Sequence, residues 1–558
     1  MLRVVTRDLG RSVNPVLTKN CLITNNQQLC HFLVSKFSFH NGFKRQYQQK
    51  QEQKIIELST PVIKSKNEYF EKRCDIIKKL IEEKEDPYPH KFHVSMSLTD
   101  FINKYNSQVK EEEILENEIQ NIAGRIISLE KTDVNSFVYE VYSEGLNIKV
   151  KIQENLYKDI ESFKKDTDKI CCGDVIGIVG VPTKFKTGQL SIVPQKIILL
   201  SPCLQQLPVA NAELSKKETR YNQRYLDLIL NNKSRKRFFD RAKIISFVRK
   251  YLDEMKFLEI ETPVMNAYPS ENKDTTFKSY HDDLNIDIFM RMSSDLHHKA
   301  LIGEGIERVY EIGRKFINKK NNETHHSEFT TCEFYMAYAD YNDLMSITEN
   351  MLSEMVKKIT GSCKFQYNPD GPESESIEID FTPPFKKIPL IKTLEDKLNV
   401  KLPSANELNT IESNKFLDDL CIKHNVECQS PRTTARLLDK LVGKFIENSC
   451  INPTFIIDHP EIMSPLAKGH RFEKGLTERF DIFIMGHKIG HGYSVLTNPY
   501  LNNSKCINDE DLCTTFELGL PPLAGLIIGI DRLAMILTNS NDIKDVILFP
   551  SIKPNFLN

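Results

Sequence analysis

Apolar residues recur every three to four positions between 67 and 85. Phe70, Cys74, Ile77 and Ile81 there predict an amphipathic helix. The turn at Asp86-Pro87-Tyr88-Pro89 stops it. From about 117 to 203 the period drops to two. Segments 121–127, 137–142, 147–152, 175–181 and 190–194 read as five strands, with turns and one helix near 154–165 between them. Five short strands in about 85 residues suit a small barrel such as an OB-fold. The helical period returns from Arg237 to Met255, with Phe238, Ile245, Val248, Leu252 and Met255 on one face. That helix runs into Phe257-Leu-Glu-Ile-Glu-Thr-Pro263, and strands alternate with helices from there to about 554. No internal repeat interrupts the pattern.

Composition narrows the class. A chain of 558 residues has room for two or three domains, and 40% hydrophobic with 27% charged residues suits a well-packed protein. No run of about 18 apolar residues exists, so no membrane-spanning helix is expected. Basic and acidic residues number 75 and 76, for a net charge of -1. That excludes a globally basic binder but not a local basic patch for RNA. The 13 cysteines include no CxxC, so they read as reduced structural residues rather than zinc ligands. The first 45 residues differ from the rest. Arg3, Arg7, Arg11, Lys19, Lys36, Lys44 and Arg45 face one acid, Asp8, and Leu2, Val5, Leu9 and Val13 recur at helical spacing. This predicts a mitochondrial transit peptide, the alternative being a basic arm of a cytoplasmic protein. The expected order is therefore that segment (1–45), a linker with N-terminal helices (46–115), the barrel (116–205), a second linker (206–218) and a large domain of alternating strands and helices (219–556).

Several segments, in order, carry a specific resemblance. They are Asp86–Phe92 (DPYPHKF), Glu218–Leu228 (ETRYNQRYLDL), Glu333–Tyr341 (EFYMAYADY), Pro431–Lys440 (PRTTARLLDK), Met463–Lys468 (MSPLAK) and Gly519–Pro522 (GLPP). Together they resemble lysyl-tRNA synthetases of the eukaryotic type, class II, from about 67 to 554. Motif 1 looks like the long helix with Thr262-Pro263, motif 2 like Arg308–Tyr335, and motif 3 like Gly525–Leu533. The resemblance implies an α+β fold: an OB-fold barrel that grips the anticodon, then an antiparallel sheet of six to seven strands flanked by helices. It also implies a homodimer through motif 1. Its partners would be tRNA (tRNA-Lys by family), lysine and ATP with Mg2+, or no cofactor if the site is silent. Phe137, Tyr139 and Tyr142 are candidate base-stacking platforms.

Family chemistry joins the lysine carboxylate to the ATP α-phosphate and passes the adenylate to tRNA, which is largely positioning and charge stabilisation. Strand alternation puts Phe329, Thr331, Glu333 and Tyr335 on one face, and His491, Tyr493, Val495 and Thr497 on another. By resemblance, Phe329 and Arg532 would sandwich adenine, with Asp531 beside them in motif 3. His325 would meet the phosphates, Glu333 would keep a catalytic position, and Asp295, Tyr335 and Tyr493 would line the lysine pocket.

Other positions depart from the family. The motif 2 Arg is Ile317 and the acid two residues on is Lys319. A magnesium-binding Glu is Lys488, leaving Asp481 as its companion. The pocket Asn and Glu are His491 and Val495, a Gly-Gly pair is Ser270-Glu271, and a motif 3 glycine is Ile527. Arg314, Lys319 and Lys320 are the basic residues near enough in sequence to compensate. His297, His298, His325 and His326 read more simply as ordinary polar residues than as a metal site. Two functions stay open: a synthetase with an altered site, or a catalytically silent paralogue that binds tRNA or serves as a scaffold. Activation of a neutral amino acid, suggested by Val495, is a third and weaker option.

Overall fold

The computed structural model describes residues 68–552, except 134–135, 158–159, 208–216, 268–274, 370, 372–373, 500–513 and 515. The basic segment 1–45, the polar stretch 46–58 and Ser270-Glu271 lie outside the described residues. The chain divides into two compact units. In the smaller, α1 (Glu68–Glu82) buries Arg73 and Leu80, while Ile81 is exposed. The buried stripe thus differs from the one expected through Ile81. Arg73 Nε donates to the Cys203 carbonyl at 3.2 Å.

The larger unit holds the barrel and the large sheet. Strands β1 (Gln120–Asp133), β2 (Ser136–Ser143), β3 (Leu146–Gln153), β4 (Val175–Lys184) and β5 (Leu190–Ser201) close in the order β1-β2-β3-β5-β4. The β3–β5 pair is parallel, the other pairings antiparallel. Closure removes the free strand edges that a five-stranded sheet would expose. Ile148, Val150 and Ile152 point inward, and the residues between them point out. Helix α2 (Leu98–Gln108) is capped by Ser97, whose hydroxyl accepts from Asp100 N, and packs Leu98, Phe101 and Tyr105 into this core. Helix α3 (Ile160–Asp168) adds Phe163.

These placements correct the aromatic platforms. Tyr139 is 1% exposed and belongs to the barrel core. Tyr142 lies beneath the Arg235 guanidinium, 3.5 Å from its ring centroid. Phe137 stays half-buried, with Lys131 Nζ 5.8 Å from its ring.

The large sheet has eight strands, more than the family resemblance implies. They are β6 (Leu258–Glu259), β7 (Arg308–Phe316), β8 (Glu328–Ala337), β9 (Lys386–Pro389), β10 (Thr454–Ile457), β11 (Arg479–Ile484), β12 (His487–Ser494) and β13 (Leu523–Gly529). Their order is β9-β10-β11-β12-β13-β8-β7-β6. The inner pairings are antiparallel, while β6–β7 and β9–β10 at the edges are parallel. The sheet is therefore mixed.

The centre of one face of this sheet is apolar. Tyr310, Phe334, Leu526 and Phe480 stand in register across it, with Cys332, Ile528 and Ile482 in the next row. They pack on α4 (Asn232–Glu254), α6 (Tyr341–Thr360) and α8 (Ile530–Leu537) through Val248, Leu344 and Leu533 among others. Full burial of such a side chain stabilises by about 1.5–3 kcal/mol, so this layer dominates the fold. Helix α4 starts five residues before Arg237, because Asn231 caps it by accepting from Lys233 N and Ser234 N. Helix α6 carries a capping box between Asp340 and Asp343 and ends at Gly361, whose φ of 87° is left-handed. The opposite face, partly roofed by α5 (Asp295–Gly303), carries the polar chemistry.

Candidate active site

Register decides which residues meet. Glu311 of β7 stands opposite Glu333 of β8, then come Ile527 of β13, His491 of β12 and Asp481 of β11. The adjacent row is Val309, Tyr335, Gly525, Tyr493 and Arg479. Directly opposed residues in an antiparallel pair project to the same side, so these ten line one surface. Sequence alternation found the same face on β8 and β12 separately, and the ladder joins them.

Every acid on this face is engaged by a cation of the chain itself. Glu311 accepts from Arg291 Nη1 at 2.6 Å and from the Thr262 hydroxyl at 2.8 Å. Glu333, 1% exposed, accepts from the Ser294 hydroxyl at 2.7 Å and lies 3.2 Å from Lys315 Nζ. Burial outweighs Glu333 and lowers the Lys315 ammonium from its ordinary pKa. Asp295, at the start of α5, accepts from Lys299 Nζ at 2.9 Å. Burial disfavours the Lys299 charge, but Asp295 and Tyr493 outweigh it and raise its pKa. That ammonium lies 5.9 Å from the Tyr335 ring centroid and 5.6 Å from that of Tyr493. The two tyrosine hydroxyls are 3.4 Å apart. An ammonium of the chain therefore already sits among residues assigned to a substrate ammonium.

Beyond the tyrosines the surface turns apolar. Val495, 2% exposed, clusters with Tyr335, Tyr493, Ala467, Phe516 and Leu523. His491 stacks on Tyr493 at 6.5 Å between centroids, and burial, with Lys488 and Arg479 nearby, pushes its pKa down to about 3. It is neutral at physiological pH. Among the described residues, Thr331 Oγ1 and His298 Nε2 are buried here without a hydrogen-bond partner.

Asp481 marks the other end. It accepts from Arg479 Nη2 at 3.1 Å and Lys488 Nζ at 2.6 Å, and stands 3.5 Å from His459 Nε2. Burial alone would raise this carboxyl, but Arg479, Lys488 and His459 together hold it well below the usual range. The resemblance implies magnesium between acids at 481 and 488. The residues present do not fit it, since one carboxylate is already shared among several cationic or potentially cationic groups. Among the described residues, no group of three or more His, Cys, Asp and Glu side chains is placed to hold a metal ion.

Arg532 opens this end toward the motif 2 loop. Its guanidinium donates to the Lys488 carbonyl at 2.6 Å, to His325 Nε2 at 2.7 Å and to the Thr324 carbonyl at 3.4 Å. Burial and the Arg532 charge lower the His325 pKa, so the ring accepts as a neutral imidazole. Phe329 is half-buried one step beyond Thr331 on β8. Asp531 takes a structural place: its oxygens accept from Thr330 N at 2.6 Å and from Arg241, tying α8 to β8 and α4.

Ile317 continues the Glu311–Gly313–Lys315 alternation, and its amide donates to the Ser327 carbonyl at 2.8 Å. Among the compensating cations, Arg314 points outward and pairs with Glu328 at 2.8 Å. Lys319 and Lys320 are exposed in the loop. Lys315, not singled out in the sequence, is the one carried inward. Its place two residues after Gly313 and four after Glu311 was the available signal. Lys299, Ser294 and Arg291 were missed for a different reason, because they belong to α5 and the strand end before it.

Comparisons with known proteins bear on the same segments. Residues 216–553 match the family described as "tRNA synthetases class II (D, K and N)". "Lysine--tRNA ligase cla4" of Cladosporium cladosporioides is 42% identical over 510 residues, 88% of this chain and 85% of that protein. "Probable lysine--tRNA ligase, cytoplasmic" of Encephalitozoon cuniculi is 39% identical over 90% of this chain and all of its own length. "Lysine--tRNA ligase" of Thermotoga maritima is 35% identical over 87% and 96%.

Proposed function

This chain belongs to the class II tRNA synthetases, in their lysine–tRNA ligase branch, and from that premise we propose that it keeps the family's tRNA-binding frame without sustaining lysine activation at family rates. One observation carries the reading. Three acids of the pocket, Asp295, Glu333 and Asp481, are each engaged by a lysine of the chain itself. A substrate ammonium would have to displace Lys299 and strand a buried charge, which costs several kcal/mol. Ile317 supports the reading too, since it offers no charge to an α-phosphate. Losing one preorganised contact of that kind costs about 10²–10³ in rate.

In this reading the barrel holds tRNA, and the protein pairs with a second copy through α4, where Phe239 is 57% exposed. The first 45 residues deliver it to mitochondria. The rival reading is that the chain performs the family reaction, and identities of 35–42% over most of its length favour it.

Lysine-dependent exchange of pyrophosphate into ATP, together with tRNA-Lys charging, separates the two. The proposal expects exchange at least about 100-fold below that of a competent relative, alongside retained tRNA binding. Exchange at a relative's rate would sink it.

A further inference from the structure

The end of the pocket around Asp481 carries an excess of positive charge. Lys488 and Arg479 share that single carboxylate, and Arg532 is bound to the Lys488 backbone. None of the Arg532 hydrogen-bond partners seen among the described residues is a carboxylate: they are two carbonyls and a neutral imidazole. Glu447 is a second acid near enough to act on Lys488 and Arg532, but burial holds its proton up to about pH 7, so the three cations still outnumber the ionised acids. Thr331 Oγ1, buried on the same sheet face, has no hydrogen-bond partner among the described residues. Lys488 is nonetheless reachable, because its side chain keeps 32% of its surface in solvent.

An acid at position 488 would have made this place better suited to a hard divalent cation, which needs several oxygen ligands. With Lys488 in that position, a divalent cation would meet an ammonium 2.6 Å from the Asp481 carboxylate, and the like charges repel. The same ammonium is suited to an anion. It is a compact point charge, and Arg532 brings a forked guanidinium to the carbonyl of the same residue.

We propose that Lys488 is a built-in substitute for a divalent cation at this end of the site, so that the phosphates of a nucleoside triphosphate are held by Lys488 and Arg532 without magnesium. The proposal rests on the family reading for the class of ligand. It concerns binding and not turnover.

Calorimetric titration of the full chain with ATP, in EDTA and in excess magnesium, tests it. The unaltered protein is expected to bind ATP in EDTA at least as tightly as in magnesium. Lys488→Gln removes the charge and is expected to weaken binding about tenfold or more in both buffers. Lys488→Glu is expected to reverse the preference, losing binding in EDTA and regaining it with magnesium. Binding by the unaltered chain that requires magnesium, or no binding in either buffer, overturns the proposal. So does unchanged affinity in folded Lys488 variants. If the variants do not fold, the comparison of the two buffers on the unaltered chain decides alone. Pyrophosphate exchange stays a separate readout: a chain that activates lysine defeats the functional reading, yet upholds this one if its ATP binding ignores magnesium.

Discussion

Glu447 shows how one side chain senses this charge cluster. Burial first, and Asp439 second, push its pKa from the usual 4.5 up to about 7, while Lys488 pulls the other way. In the unfolded chain the proton leaves near pH 4.5; in the folded chain it stays until about 7. Stability contributed by this group therefore falls as pH rises between those values, and the full cost is present above 7. Glu447→Gln should accordingly be more stable than the unaltered protein at pH 8, by about 1–2 kcal/mol after allowing for partial solvent exposure. The difference should vanish near pH 4. Urea denaturation at the two pH values checks this, and an equal difference at both would refute it. At the same scale, strand alternation made Glu333, Tyr335, His491 and Tyr493 legible as neighbours. It could not reveal that Lys315 and Lys299 neutralise the acids, because those contacts join elements far apart in sequence or turns of a helix not read there.

At the scale of elements, β13 passes behind Tyr335 at Gly525. A Cβ there would lie 2.0 Å from the ring. Nothing larger than hydrogen fits unless the ring leaves its place beside Lys299 and Tyr493. Gly525→Ala is thus expected to cost about 1–3 kcal/mol and to shift the near-ultraviolet tyrosine signal. Thermal melts together with circular dichroism measure both, and a variant that melts like the unaltered protein would show that the ring yields freely. The five barrel strands and the long helix were legible in outline from their periods. Their ends were not, because caps such as Asn231 and Ser97 are single polar residues outside the apolar pattern. The edge strands β6 and β9 were missed as well. Two to four residues are too few to show a period, and pairing with a neighbour is what makes them strands.

At the scale of the whole molecule, a net charge of -1 means that any grip on RNA comes from local patches. On the barrel, Phe137 with Lys131 over its ring is the candidate left after Tyr139 is assigned to the core and Tyr142 to the Arg235 contact. Phe137→Ala combined with Lys131→Glu should weaken tRNA binding by about tenfold or more and flatten its dependence on salt. Fluorescence anisotropy with labelled tRNA over a salt series reads both. An unchanged salt slope would move the RNA contact elsewhere.

The order of motifs, the barrel period and the identities of Ile317, Lys488 and Val495 are local facts, and the linear sequence carried them in full. Family membership follows from these, because the motif strings and the two periods are short-range signals that survive without a fold. The strand register and the inward turn of Lys315 belong to the folded chain alone. So do the pairing of Lys299 with Asp295 in place and the crowding of cations on Asp481. A charge is free or spent according to what stands within a few ångströms of it, and only the tertiary structure brings those partners together.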